Sequence, residues 1–243
     1  MSSAGHLHNA IIAMVEAMHD LWIFGYGSLM WRPGFAHEEA CRARLVGYSR
    51  RFCVTSVHHR GSAKRPGLVL GLDRGGVCEG VAYRVAAKNV KDVLCYLRAR
   101  EQVNGVYREA LLPIETQGKK AGVVAAITYI VERDHPSYAG HLSLETQAEL
   151  IRGACGRSGV NLDYLINTLR HMSELGIRER ELERLMVVLG SFFARTPSRG
   201  LVSPRAEVLR RIAVRERMPQ CSVKRMRPDA RRRFGYRMKV NCQ

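Results

Sequence analysis

The chain has 243 residues, of which 46% are hydrophobic and 25% are charged, which is enough to bury the core of one globular domain. No apolar run approaches the roughly 18 residues that a membrane-spanning helix needs, so a transmembrane protein is excluded. The seven cysteines contain no C-x-x-C pair, which argues against a disulfide framework and a zinc site and predicts a reducing, cytoplasmic location.

The net charge of +17 is concentrated near the C-terminus. Residues 195–243 contain 15 Lys and Arg against three acidic residues, a net charge of +12, which leaves +5 for the rest of the chain. This segment has few aromatic residues and no sustained apolar period, so we predict a basic, flexible tail. Residues 1–20 also lack a period and are predicted to form an N-terminal extension, with residues 21–194 as the folded domain.

The first half of that domain is predicted to be rich in strands. Runs of β-forming residues indicate strands at 21–24, 51–57, 67–73, 77–85, 106–114 and 123–131. An amphipathic helix is predicted at 87–103, and three more follow at 144–154, 162–175 and 178–193, with Gly176 ending the third of the four. Strands followed by helices indicate the α+β class.

A glycine-rich turn follows the first strand, at Gly25-Tyr26-Gly27-Ser28-Leu29. Two glycines around a tyrosine let the backbone turn sharply and direct several N–H groups toward one point, which is typical of an anion or oxyanion site. An ordinary strand-ending turn explains the same residues. No G-x-x-x-x-G-K-[ST] motif is present, which disfavours nucleotide binding, and the histidines form no H-x-x-x-H pair, so no metal site is predicted.

Glu101 is a second candidate, because it continues the inward stripe of the 87–103 helix. Val90, Leu94, Leu97 and Glu101 are spaced four, three and four residues apart. Burial would raise the pKa of this carboxyl and suit it to general acid–base catalysis. Alternatively, Glu101 lies in a fraying last turn or pairs structurally with Arg98 or Arg108. Tyr107 either directs its hydroxyl into the same space or fills the core.

These segments together resemble the ChaC family of glutathione-specific gamma-glutamylcyclotransferases. The resemblance covers roughly residues 21–190 and is carried by an ordered series of motifs: Trp22–Pro33, His59-Arg60-Gly61, Pro66–Leu72, Gly80–Arg84, Tyr96–Glu101, Tyr107-Arg108, His135–Tyr138, Asn167-Thr168 and Glu183–Leu185. It does not extend to the basic tail.

The resemblance implies a gamma-glutamylcyclotransferase-like fold, a small mixed β-barrel with flanking helices. It implies glutathione as substrate, 5-oxoproline and L-cysteinylglycine as products, and neither a metal nor another cofactor. Glu101 matches the family's catalytic glutamate. The substrate-binding loop corresponds to Ile23, Phe24, Gly25, Tyr26, Gly27, Ser28 and Leu29, with Tyr107 alongside. No membrane partner is implied.

The basic tail suggests an alternative function. A nucleic-acid or acidic-surface binding protein could use a cyclotransferase scaffold, with residues 195–243 as its electrostatic contact. The nearly balanced charge of the remaining chain and the lack of a recognisable nucleic-acid module argue against it. Nucleic acid is therefore expected as a partner only through the tail.

Overall fold

The computed structural model describes residues 19–102, 104–118 and 121–195, all within one compact unit. The predicted extension at 1–20 and tail at 195–243 lie almost entirely outside these residues. Five strands close into a barrel in the order β1–β3–β2–β4–β5. They are β1 (Leu21–Gly25), β2 (Glu39–Ser56), β3 (Gly67–Val85), β4 (Tyr107–Thr116) and β5 (Gly122–Val131). Neighbours are antiparallel except β1 and β5, whose parallel pairing closes the barrel.

The long hairpin of β2 and β3 differs from the sequence prediction. The expectation of separate strands at 67–73 and 77–85 is wrong, because β3 runs through both. Gly75 and Gly76, with φ of 98° and 81°, form a bulge opposite Gly47, with φ of 89°, instead of a chain-reversing turn. Strand β2 begins at Glu39 rather than at residue 51.

Helix α1 (Val90–Glu101) covers the barrel with the predicted apolar stripe. Val90, Val93, Leu94 and Leu97 are buried, and a short 3-10 turn at Ala87–Asn89 precedes the helix. The helix ends at Glu101, so this residue lies in the last helical turn, at the end of the buried face. The predicted helical end at Val103 lies outside the described residues.

The three later helices are confirmed to within two residues at each end: α2 (Leu144–Gly153), α3 (Asn161–Glu174) and α4 (Arg180–Arg195). Gly176 ends α3 with a φ of 67°, as predicted. A small hairpin, β6 (Cys155–Gly156) and β7 (Gly159–Val160), joins α2 to α3 and was not predicted. The fold is therefore α+β, as predicted. In the described part of the chain, no helix is both long enough and apolar enough to cross a membrane.

Candidate active site

A cleft of about 380 Å3 lies where the turn after β1 meets the end of α1. Its walls come from segments that are distant in sequence, including the loop between β2 and β3 and the turn between β6 and β7. The lining residues are Tyr26, Gly27, Ser28, Leu29, His59, Arg60, Val69, Leu70, Arg100, Glu101, Tyr107, Tyr129, Ser158 and Tyr164.

The glycine-rich turn forms one wall of the cleft. A Cβ atom on Gly25 would lie 2.9 Å from the Leu29 Cβ, so the chain can fold back on itself only because Gly25 has no side chain. The Met30 N–H donates to the Gly27 carbonyl over 2.9 Å, which is the first hydrogen bond of a 3-10 turn at Ser28–Met30. The N–H groups of Ser28 and Leu29 precede this bond, so the turn provides them with no acceptor.

Arg50 supports this wall from inside the barrel. Its side chain is fully buried, and its Nε donates to the Tyr26 carbonyl. The same guanidinium donates to the Glu79 carbonyl and pairs with Glu179 over 3.1 Å. The backbone of the turn is thereby tied to β3 and to the segment before α4.

Glu101 forms the opposite wall and faces the turn through Arg100. The Glu101 side chain is 19% exposed, and its Oε1 lies 3.1 Å from the Arg100 Nε. Arg100 also donates from Nη2 to the Ser28 hydroxyl over 2.9 Å and from Nη1 to the Arg32 carbonyl over 2.7 Å. One guanidinium therefore fixes the position of the Glu101 carboxylate relative to the glycine-rich turn.

Burial raises the pKa of Glu101, and the nearby Arg100 charge opposes this effect only in part. The two structural partners that the sequence offered are engaged elsewhere. Arg98 pairs with Glu109 over 2.8 Å, and Arg108 pairs with Glu132. The alternative that Glu101 pairs with Arg98 or Arg108 is therefore wrong.

The floor of the cleft is formed by Tyr26, which is buried, and by Tyr107 and Tyr164, which are half-buried. The Tyr107 hydroxyl donates to the Leu70 carbonyl over 2.7 Å, so it both reaches the cleft and has a hydrogen-bond acceptor. Burial raises the pKa of Tyr26 and of Tyr107 well above the usual value, and that of Tyr164 to about 12. All three phenols are consequently neutral at physiological pH.

Five of the eight residues predicted to bind substrate, together with Glu101, meet in this cleft: Tyr26, Gly27, Ser28, Leu29 and Tyr107. Ile23, Phe24 and Gly25 do not line it. Ile23 and Phe24 are both fully buried. As neighbours on β1 their side chains point to opposite faces of the strand, one into the barrel and the other beneath the elements packed around it. Gly25 instead shapes the turn.

Six polar residues of the cleft were missed by the sequence analysis: His59, Arg60, Arg100, Tyr129, Ser158 and Tyr164. Arg60 and Arg100 fall inside motifs that carry the family resemblance, which was the available signal for them. Ser158 and Tyr164 carry no local signal, because only the packing of the β6–β7 hairpin and α3 brings them to the barrel. Within the described ranges, no group of three or more His, Cys, Asp or Glu is arranged to hold a metal ion.

Comparison with known proteins places this site in a family context. The model of the family described as ChaC-like protein matches residues 21–191, a range that contains every lining residue of the cleft. A glutathione-specific gamma-glutamylcyclotransferase of Escherichia coli is 34% identical and covers 76% of this chain and 79% of its own. Glutathione-specific gamma-glutamylcyclotransferase 1 of Mus musculus is 38% identical, and the match covers 70% of this chain and 78% of the mouse protein. The structure of a yeast gamma-glutamylcyclotransferase specific to glutathione shares the fold, with a TM-score of 0.65, 21% identity, and coverage of 72% of this chain and 99% of that one.

Proposed function

The chain belongs to the ChaC-like family, and on this premise we propose that it is a gamma-glutamylcyclotransferase that cleaves glutathione to 5-oxoproline and L-cysteinylglycine. The observation that carries the proposal is Glu101, a mostly buried carboxylate of raised pKa that faces a glycine-rich turn across the cleft. Relatives named as glutathione-specific cyclotransferases support the choice of substrate.

The reaction is intramolecular and consumes no water. The α-amine of the γ-glutamyl group attacks its own γ-carbonyl carbon and forms the C–N bond of a five-membered lactam. The bond from that carbon to the cysteinyl nitrogen then breaks, and the nitrogen takes up a proton as cysteinylglycine leaves. Nucleophile and electrophile belong to one molecule, so orientation of the substrate is a large part of the catalysis.

Glu101 is the group that moves the proton. At neutral pH the α-amine is mostly an ammonium, which cannot attack, so Glu101 first accepts a proton from it and passes this proton to the leaving nitrogen. The attacking nitrogen sheds a second proton as it becomes the lactam N–H, and this proton converts the released amine of cysteinylglycine into its ammonium form. The raised pKa of Glu101 makes the carboxylate a stronger base than an exposed glutamate. Arg100 holds the carboxylate in place through its Nε.

The glycine-rich turn binds the carbonyl that is attacked. The N–H groups of Ser28 and Leu29 are available to the γ-carbonyl oxygen as negative charge develops on it, a contribution of about 3–4 kcal/mol per donor in other enzymes. Gly27 keeps this surface open, because a Cβ atom there would meet only the Tyr164 hydroxyl, at 3.8 Å. Tyr26 and Tyr107 shape the floor beneath the bent substrate.

As drawn, the reaction needs neither a metal nor another cofactor, because proton transfer and orientation suffice. The thiols of Cys41, Cys53, Cys78 and Cys155 are free, which fits the reducing cytoplasm as the place of action. We retain residues 21–194 as the catalytic domain and treat the basic segment after it as dispensable for the reaction. No finding supports the alternative of a nucleic-acid or acidic-surface binding protein.

A product assay tests the proposal. Purified protein is incubated with glutathione, and 5-oxoproline and cysteinylglycine are quantified by liquid chromatography with mass spectrometry. Equimolar appearance of both products is expected. Free glutamate together with cysteinylglycine would instead indicate hydrolysis and would refute the cyclisation.

A further inference from the structure

Arg60 is a cationic side chain in the cleft with no carboxylate partner among the described residues. Its guanidinium donates one hydrogen bond in that part of the chain, from Nη1 to the Val160 carbonyl over 3.3 Å. A guanidinium has five N–H donors arranged for bidentate contact with a carboxylate. Arg60 therefore reaches the cleft with most of its donors unused.

The other arginine that lines the cleft, Arg100, differs from Arg60 because its guanidinium is bound by protein groups. Arg100 is engaged by the Glu101 carboxylate, the Ser28 hydroxyl and the Arg32 carbonyl. These contacts use all three of its nitrogens, so Arg100 is part of the protein's own framework. Of these two arginines, Arg60 is the one with donors left for a ligand.

The backbone that carries Arg60 is held firmly. A Cβ atom on Gly61 would collide with the Gly67 nitrogen, and one on Gly67 would collide with the Arg60 carbonyl, so the two ends of the loop are in direct contact. The Arg157 N–H donates to the His58 carbonyl over 2.8 Å and ties the loop to the β6–β7 hairpin. A cation on such a support is preorganised, which lowers the entropic cost of binding a ligand.

The Tyr164 ring fixes the direction of the Arg60 side chain. The guanidinium carbon lies 5.2 Å from the centre of this ring, which is within the range of a cation–π interaction. The Tyr164 hydroxyl points toward the glycine-rich turn, since a Cβ atom on Gly27 would lie 3.8 Å from it. Arg60 instead lies over the ring and donates to the Val160 carbonyl just before α3. Arg60 and the turn therefore meet Tyr164 at different parts of its side chain.

We propose that Arg60 binds the glycyl carboxylate of the substrate and so makes the enzyme selective for γ-glutamyl peptides with a free carboxylate at this position. This inference rests on the proposed function. The α-carboxylate of glutathione is bonded to the carbon that bears the reacting amine, so it stays near Glu101. The glycyl carboxylate is about two residues, or roughly 7 Å, beyond the scissile bond, which suits a cation that contacts the Tyr164 ring rather than the glycine-rich turn.

The test compares two substrates that differ only in this carboxylate: glutathione and glutathione amide, in which the glycyl carboxylate is a carboxamide. Because a hydrogen bond to a charged group is the interaction at stake, kcat/KM of the wild type is expected to be about 10- to 100-fold higher for glutathione. In Arg60→Met the preference should fall to about 1, mainly through KM for glutathione. Arg60→Lys, which keeps the charge without the planar fork, should retain a smaller preference.

Arg65→Met is the matched control, because Arg65 lies in the same loop, is exposed and does not line the cleft. It should leave the preference unchanged. Equal kcat/KM values of the wild type for the two substrates would overturn the proposal, and so would an equal loss for both in Arg60→Met, since that is the result of a purely structural role.

Calorimetric binding of both peptides to Glu101→Gln, with and without Arg60→Met, separates this inference from the proposed function. If the wild type does not turn glutathione over but binding prefers the acid only when Arg60 is present, the function fails and the carboxylate site stands. Turnover without any acid preference in binding or kinetics leaves the function standing and refutes the site.

Discussion

Replacement of Glu101 by glutamine tests the proposed catalytic role of this residue separately from its contribution to stability. The amide keeps the shape of the side chain, and its oxygen can still contact the Arg100 Nε, which lies 3.1 Å from the carboxylate oxygen. The variant cannot accept a proton from the substrate amine, however. General acid–base catalysis contributes about 100- to 10,000-fold, so kcat of Glu101→Gln should fall by that factor while KM changes little.

The same substitution should make the folded protein more stable at neutral pH. Burial raises the pKa of Glu101 above its usual 4.5, so ionisation is less favourable in the folded than in the unfolded chain. The wild type therefore loses stability as pH rises through the folded-state pKa, whereas glutamine has no proton to lose. Each pKa unit corresponds to about 1.4 kcal/mol. The difference in unfolding free energy between Glu101→Gln and the wild type should therefore be larger at about pH 7 than at about pH 4, and the increase measures the pKa shift of Glu101.

Product formation by liquid chromatography and urea unfolding at both pH values provide the two readouts. Glu115→Gln is the control, since Glu115 is exposed, about 3.7 Å from Arg44, and lies outside the cleft. It should change neither activity nor stability by more than about 0.5 kcal/mol. Activity of Glu101→Gln within tenfold of the wild type would refute the catalytic assignment, and a variant less stable than the wild type at neutral pH alone would refute the stated effect of burial.

Three further outcomes follow from the structure. Arg50→Met should lower the free energy of unfolding by about 3–5 kcal/mol in urea titrations, because it leaves the Glu179 carboxylate without its buried partner; a loss below 1 kcal/mol would contradict this. Gly27→Ala should lower kcat/KM by placing a methyl group in the cleft, with a smaller drop in Tm than Gly25→Ala, whose Cβ would press on the folded-back turn; the reverse order of Tm values would argue against it. A chain ending at Arg195 retains every described element, so its glutathione turnover should match that of the full chain, and loss of turnover in the folded truncation would mean that residues after 195 contribute to the site.

Local periodicity was enough to predict the helices and the position of Glu101. Side chains three and four residues apart share one face of a helix regardless of the rest of the fold. Val90, Leu94 and Leu97 therefore identified the buried face of α1 and placed Glu101 on it. The turn at Gly25–Leu29 was likewise predicted from local sequence, because the two glycines that form it are close together along the chain.

Long-range pairing decided what the sequence left open. Whether Gly75 and Gly76 reverse the chain or form a bulge depends on the partner strand, because β2 supplies the hydrogen bonds that carry β3 past them. Glu101 had several arginines within reach along the chain, and only the positions of Glu109 on β4 and of Glu132 just after β5 determine that Arg98 and Arg108 pair elsewhere. The sequence by itself was enough to predict Glu101 and the glycine-rich turn as candidate site residues. The cleft in which Tyr164 and Arg60 join them exists only after the barrel closes, since contacts between distant segments leave no periodic signal in either one.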